Sequence, residues 1–189
     1  MVEDRARSAL HPRIEELLEH LDETRAAFLT AVDSVPEAQR AARARPGRWS
    51  LGELVDHVHK VEVGTLRLLT KRIEQARTRG SEQETDSSSI FATMDGSRAL
   101  DRTRPIEAPP TVVPSEGAMV DAALAALAES RQALRATLIG ASGLALGAMT
   151  YPHPVFGTLD MYQWGLLLGW HDLRHADQVR EMRDAGAAG

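Results

Sequence analysis

The sequence contains no cysteine. This absence excludes disulfide bonds, thiolate metal ligands and a cysteine nucleophile. Any thiol that takes part in the chemistry of this protein would therefore have to come from a bound small molecule.

An excess of positive charge is also missing. The formal net charge is −5, so the chain has no broad basic surface of the kind that binding to a phosphate backbone requires. We therefore expect no nucleic-acid partner.

Long hydrophobic runs are absent as well. The run GLLLGW, residues 165–170, falls far short of the roughly 20 residues that span a bilayer. The first residues, MVEDRARSALHPRIEELLEH, include several acids and no apolar stretch of the signal-peptide type. These features predict a cytoplasmic protein with no membrane partner.

The residues that are present favour one helical domain. At 189 residues, of which 43 % are hydrophobic and 26 % charged, the chain can form one globular domain with its own core, and we take 1–189 as that domain. Ser50 and Glu53 have the spacing of a capping box, which predicts a helix that begins at Leu51. Apolar residues at helical spacing, with no strand pattern and no repeat, predict an all-α four-helix bundle. The four predicted helices span residues 12–34, 51–77, 117–140 and 158–184, and Thr158 is the expected N-cap of the last.

Residues 78–116 differ from the rest of the chain. They begin with the polar, low-complexity stretch RGSEQETDSSS and later contain four prolines in RTRPIEAPPTVVPSEG. This composition predicts a long, partly mobile connection between the second and third helices, with room for one short helix near residues 91–100.

Two histidines interrupt the apolar face of the fourth predicted helix, in WGLLLGWHDLRHADQV, residues 164–179. His171 and His175 are one helical turn apart, so their imidazoles project side by side at about the separation at which two nitrogens hold one metal ion. The alternative is a pair of core histidines bonded to the backbone or to each other. That arrangement is costly, because each buried ring has two polar nitrogens to satisfy.

The second predicted helix offers a third ligand in LVDHVHKVE, residues 54–62. On a helical wheel His57 lies at the border of the buried arc, whereas His59 points to the opposite, solvated side. We therefore predict that His57 is the third ligand. Glu53 lies beside His57 on the wheel, where it could orient the ring in addition to capping the helix, and Glu62 faces elsewhere.

The positions of these histidines along their helix axes predict whether the second and fourth helices are parallel or antiparallel. His57 stands about 10 Å from the start of its helix, and the midpoint of His171 and His175 stands about 22 Å from the start and about 17 Å from the end of theirs. The levels match better if these two helices are antiparallel. This predicts an up-down-down-up bundle with one long crossover between helices 2 and 3.

Three motifs, taken in order, give the chain a family resemblance: WSLGELVDHVHKVE, YPHPVFGTLD and WHDLRHADQV. The chain resembles the DinB-like superfamily, also called DinB/YfiT-like metalloenzymes, in which a Trp-Ser pair opens the second helix with a histidine eight residues after the Trp. An HxxxH pair lies in the last helix of that family, and an HP-x-x-G turn recurs in one of its branches. Here these are Trp49, Ser50 and His57, then His171 and His175, and a turn formed by His153, Pro154 and Gly157.

The resemblance implies a three-histidine site for a divalent metal, such as zinc, nickel or iron, with positions left open for a ligand. It also implies an enzyme that transfers a low-molecular-weight thiol of the mycothiol or bacillithiol class to an electrophilic small molecule. Gln178, one turn beyond His175, would support the site, and His153 would contact substrate or only shape the entry to the last helix.

Two alternatives stay open. One is a non-catalytic metal-binding bundle, with a stress-response or dimerisation role. The other is a metal-dependent hydrolase, because HDLRH resembles the zincin motif HExxH with Asp172 in the place of the glutamate general base. A homodimer is compatible with a helical bundle, but no stripe in the sequence selects the helix face that would form it.

Overall fold

The structure is a computed structural model that describes residues 10–43, 47–80, 82–104 and 106–187, so both ends of the expected 1–189 domain lie outside the described residues. Within these ranges the chain is mostly helical, and none of the described helices is long and apolar enough to cross a membrane. The helices are α1 (Pro12–Asp33), α2 (Glu37–Arg40), α3 (Leu51–Arg79), α4 (Ser97–Leu100), α5 (Val120–Gly140) and α6 (Met161–Ala187), and one hairpin pairs β1 (Thr150–His153) with β2 (Gly157–Asp160).

Helix α3 begins where the capping box predicts. The Ser50 hydroxyl accepts a hydrogen bond from the Glu53 backbone N–H, and the Glu53 carboxylate accepts one from the Ser50 backbone N–H. Two of the N–H groups that the first turn leaves unpaired are thereby satisfied. The helix ends at Arg79 and is capped by Gly80, whose φ of +78° is the left-handed conformation that glycine adopts readily.

The start of α6 differs from the prediction. Thr158 lies in the antiparallel hairpin and not at the N-cap, and the expectation that the chain has no strand is wrong. The cap is Asp160, whose carboxylate accepts from the Gln163 backbone N–H at 2.9 Å, while the Gln163 side-chain oxygen accepts from the Asp160 backbone N–H at 3.0 Å. This reciprocal pair is a second capping box, and it lets β2 lead directly into the helix.

The long helices α1, α3, α5 and α6 share two hydrophobic clusters. The first cluster gathers the N-terminal halves of α1 and α6 with the C-terminal halves of α3 and α5. The second gathers the opposite halves of the same helices. Each long helix thus contributes apolar side chains at two levels of the bundle.

Four buried charged side chains meet between the long helices, one from each. Arg25 of α1 donates to Glu62 of α3 at 2.8 Å and to Asp172 of α6 at 2.9 Å. Arg131 of α5 bonds the same two carboxylates at 2.7 and 3.1 Å, and the Ser130 hydroxyl donates to Glu62 at 2.6 Å. Both carboxylate residues have 0 % exposure. We call Arg25, Glu62, Arg131 and Asp172 the central charge network.

The segment between α3 and α5 is tied to the bundle at several points. Its first part pairs with the α5–β1 connection, where the Glu84 backbone N–H donates to the Gly143 carbonyl at 2.8 Å. Further along, Arg174 of α6 donates to the carbonyl of Asp101 at 2.7 Å. Where one short helix was expected, the structure has two 3₁₀ turns, Ile90–Thr93 and Pro110–Val112, in addition to α4.

We predict that Glu62→Gln lowers the free energy of unfolding by about 3–5 kcal/mol, because it leaves a net positive charge buried with the two arginines. Urea denaturation followed by circular dichroism measures this loss. The matched control is Asp177→Asn, which breaks an exposed ion pair with Arg180 on α6 and should change the free energy of unfolding by at most about 1 kcal/mol. Equal losses in the two variants would contradict the prediction.

Candidate metal centre

Three histidines converge where α3 faces α6. The Nε2 atom of His171 lies 3.2 Å from Nε2 of His57 and 3.0 Å from Nε2 of His175. One nitrogen from each ring lies within 4.8 Å of the others. His57 and His175 are each only 5 % exposed. The structure therefore brings together the three histidines that the sequence selects, and it leaves His59 outside their cluster.

Hydrogen bonds fix the protonation of two of these rings. Nδ1 of His57 lies 2.8 Å from the backbone carbonyl of Val112, and Nδ1 of His175 lies 2.6 Å from the side-chain oxygen of Gln178. Both partners are acceptors, so each Nδ1 carries the proton and donates it. The Nε2 atoms of both rings consequently present lone pairs toward His171.

The third ring leaves the cluster electrostatically incomplete. Nδ1 of His171 is buried and has no hydrogen-bond partner among the described residues. If that nitrogen carries the proton, three Nε2 lone pairs face one another. If Nε2 carries it, that N–H can serve only one of its two neighbours, and a buried Nδ1 lone pair stays without a donor. A cation that accepts three lone pairs resolves the arrangement, so the donor set fits a divalent metal ion.

The electrostatics keep the rings neutral. Burial is the largest cause that lowers the pKa of His57. Burial, together with the neighbouring His57, lowers the pKa of His175 to about 3. Burial and the other two histidines hold the pKa of His171 well below its ordinary value. Neutral imidazoles are the form in which histidine binds metals.

Glu53 does not have the orienting role that the sequence suggested beside its capping role. Its carboxylate accepts hydrogen bonds from the Ser50 and Gly117 backbone N–H groups and from the Arg43 guanidinium. Within the described part of the chain it has no bond to His57, because the helix cap and the neighbouring loop turn it away from the ring. The group that orients His57 is the carbonyl of Val112, which no side-chain motif could reveal.

The side chains of His153 and Asp172 are each engaged in hydrogen bonds apart from the three-histidine cluster. Nδ1 of His153 accepts the backbone N–H groups of Val155 and Phe156 in the hairpin turn, and its ring packs on Trp164 with centroids 4.8 Å apart. These contacts join His153 to the hairpin turn and to Trp164 in the first turn of α6. Both oxygens of Asp172 accept from arginines of the central charge network. Asp172 is therefore engaged away from the histidines and does not occupy the position of a zincin-like general base.

Comparisons with known proteins identify the family and the fold. The family model described as the DinB superfamily matches residues 20–179. A protein of Bacillus subtilis (strain 168) described as "Uncharacterized protein YuaE" is 26 % identical over 140 residues, which cover 72 % of this chain and 78 % of that protein. The crystal structure of TT2238, described as a four-helix bundle protein, superposes with a TM-score of 0.60 at 20 % identity and covers 89 % of this chain and 98 % of that one. At this identity the likeness to TT2238 shows the fold alone.

We predict that Gln178→Ala weakens the binding of Zn²⁺ by about tenfold, because the Nδ1–H of His175 loses its acceptor and the ring its fixed tautomer. Isothermal titration with Zn²⁺ measures the change. Gln178→Glu keeps an acceptor oxygen at this position and should restore most of the affinity. Weak binding in both variants would show that the hydrogen bond to His175 is not the cause.

Proposed function

The chain belongs to the DinB superfamily, and from this premise we propose that it is a divalent-metal-dependent enzyme whose ion is held by His57, His171 and His175. The observation that carries the proposal is the convergence of three neutral imidazoles, two of them with their Nδ1 protons already donated to Val112 and Gln178. The Nε2 lone pairs of His57 and His175 are therefore already oriented toward one point before an ion binds, which reduces the reorganisation that binding requires.

We infer that the four long helices run up-down-down-up, with the crossover between α3 and α5. The composition of the two hydrophobic clusters supports this order, because each joins opposite ends of α3 and α6. Antiparallel α3 and α6 bring His57, in the second turn of α3, to the level of His171 and His175 in the middle of α6.

A divalent ion held by His57, His171 and His175 would supply Lewis acidity and would lower the pKa of a thiol or a water molecule. Zinc, nickel and iron all suit such a donor set. The chain's own contribution is to hold the three rings neutral and correctly oriented. Among the described residues no carboxylate belongs to the cluster, so a loaded site would carry the positive charge of the ion.

The reaction that we propose is the transfer of a low-molecular-weight thiol, of the mycothiol or bacillithiol class, to an electrophilic small molecule. In such a substitution the thiol gives its proton to solvent and its sulfur forms a bond to the electrophilic carbon. The leaving group departs with the electrons of the broken bond, so neither an oxidant nor a reductant is needed. Because the chain contains no cysteine, the thiol has to be a separate molecule.

A structural role for the ion is the second candidate. His57 belongs to α3 and the other two histidines belong to α6, so an ion at this point would cross-link two long helices. A non-catalytic metal-binding bundle would use only this cross-link. The two candidates differ in what metal removal does, because the structural one predicts mainly a loss of stability.

We predict that protein purified without a histidine tag or chelator contains about one divalent ion per chain, and that His57→Ala and His175→Ala each lose it. Inductively coupled plasma mass spectrometry measures the content. His59→Ala is the matched control, because His59 lies on the same helix outside the cluster, and it should keep the ion. Metal-free wild type that also refuses added zinc or nickel would overturn the site.

We predict that the metal-loaded protein accelerates thioether formation between one of the common bacterial thiols and an activated aryl halide. Mass spectrometry of the product and release of halide measure the reaction, and removal of the metal or His57→Ala should lower the rate at least about a hundredfold. If the loaded protein turns over no electrophile with any thiol, while the ion raises its melting temperature, the structural role replaces the enzymatic one.

A further inference from the structure

We propose that Asp56 and Lys60 are positioning residues for His57. They hold the segment of residues 110–117, which we call the strap, against α3, so that the carbonyl of Val112 fixes the His57 ring in its metal-binding orientation. The proposal rests on the metal site of the proposed function and adds to it a device that adjusts one ligand.

The strap bonds to one face of α3. The His57 ring donates to the carbonyl of Val112 at 2.8 Å, and this contact lies between others on the same face. Residues 53, 56, 57 and 60 are spaced as neighbours on a helix surface. The bonds to the strap from the other three positions are Gly117 N–H to Glu53 at 3.2 Å, Ser115 N–H to Asp56 at 2.7 Å, and Lys60 to the Val113 carbonyl at 2.9 Å and the Ser115 hydroxyl at 3.1 Å.

Asp56 and Lys60 bind the strap as a unit. They form an ion pair of 3.0 Å, and the same Asp56 oxygen that bonds Lys60 also accepts the Ser115 backbone N–H. Their side chains are 15 % and 29 % exposed, so the pair is partly sheltered from water. Because Lys60 holds the carbonyl of Val113, it fixes the peptide group next to the one that contains the Val112 carbonyl.

The segment directly after the strap packs closely against the backbone of α3. A Cβ atom at Gly52 would lie 1.9 Å from the carbonyl oxygen of Ala118 and 3.1 Å from the nitrogen of Val120. The chain that follows the strap therefore touches the first turn of α3 through a glycine. This contact and the Lys60 bonds hold the chain that follows Val112 against α3 at levels before and after His57, which restricts the movement of the Val112 carbonyl away from the ring.

A purely electrostatic role and a positioning role of Lys60 predict opposite changes in metal affinity when Lys60 is replaced. A positive charge near the histidines opposes the binding of a cation, so its removal alone would tighten metal binding. If Lys60 instead acts through the strap, its removal loosens the Val112 carbonyl and weakens metal binding. The sign of the change therefore separates the two effects.

The test measures Zn²⁺ affinity by isothermal titration for Lys60→Met, Asp56→Ala and the double variant. We expect each single variant to bind about tenfold more weakly, and the double variant to be little worse than either single variant, because both act through one strap. Lys60→Arg should retain most of the affinity. The matched control is Asp177→Ala, which removes a carboxylate two residues from His175 with no strap contact, and it should change the affinity less than about twofold. Unchanged or tighter binding in Lys60→Met overturns the proposal.

A second readout needs no metal. In metal-free protein the Nδ1 proton of His57 should give a slowly exchanging NMR signal that is lost in Lys60→Met and in Asp56→Ala, while thermal unfolding shows that both variants remain folded. Persistence of the signal in both variants overturns the proposal, whatever the titration shows. If wild type binds no Zn²⁺ but the signal behaves as expected, the metal site of the proposed function fails and the positioning of His57 stands.

Discussion

The central charge network is the constraint on which the arrangement of the bundle depends. It takes one charged residue from each long helix and pairs two guanidiniums with two carboxylates that have no contact with solvent. An unpaired charge in this position would cost several kcal/mol, so the helices cannot rotate independently. Asp172 directly follows His171, and Glu62 lies five residues after His57. The rotation that pairs the charges is therefore also the rotation that turns the histidines toward one another.

The interior contains two buried polar clusters, and they differ in whether the chain supplies complementary hydrogen-bond partners for their polar atoms. The charge network satisfies itself, because every carboxylate oxygen has a donor from the chain. The histidine cluster directs groups of one kind at a single point and leaves His171 Nδ1 without a partner. Polar groups that are buried without complementary partners destabilise a fold unless a ligand uses them. This contrast is the physical basis for assigning function to the histidines and architecture to the charges.

Local features of the bundle could be predicted from sequence, and features that depend on distant chain segments could not. The Ser50 capping box is a spacing of three residues, and the HxxxH pair is one helical turn. The Val112 carbonyl lies 55 residues from His57 and belongs to the main chain, so no residue type marks it. The hairpin has no clear sequence pattern, because its strands have four residues each and β1 contains Pro152. Arg25 and Arg131 look like solvated residues until their partners on other helices are known.

The partner of His57 is a feature that all amino acids share. A backbone carbonyl survives the replacement of any side chain, so those exposed side chains of residues 110–117 that make no bond to α3 can change in evolution while the His57 ring keeps its orientation. In enzymes whose ligands are oriented by side chains, variation around the site risks the site itself. Here the surface beside the three histidines can vary without removing the backbone group that orients His57.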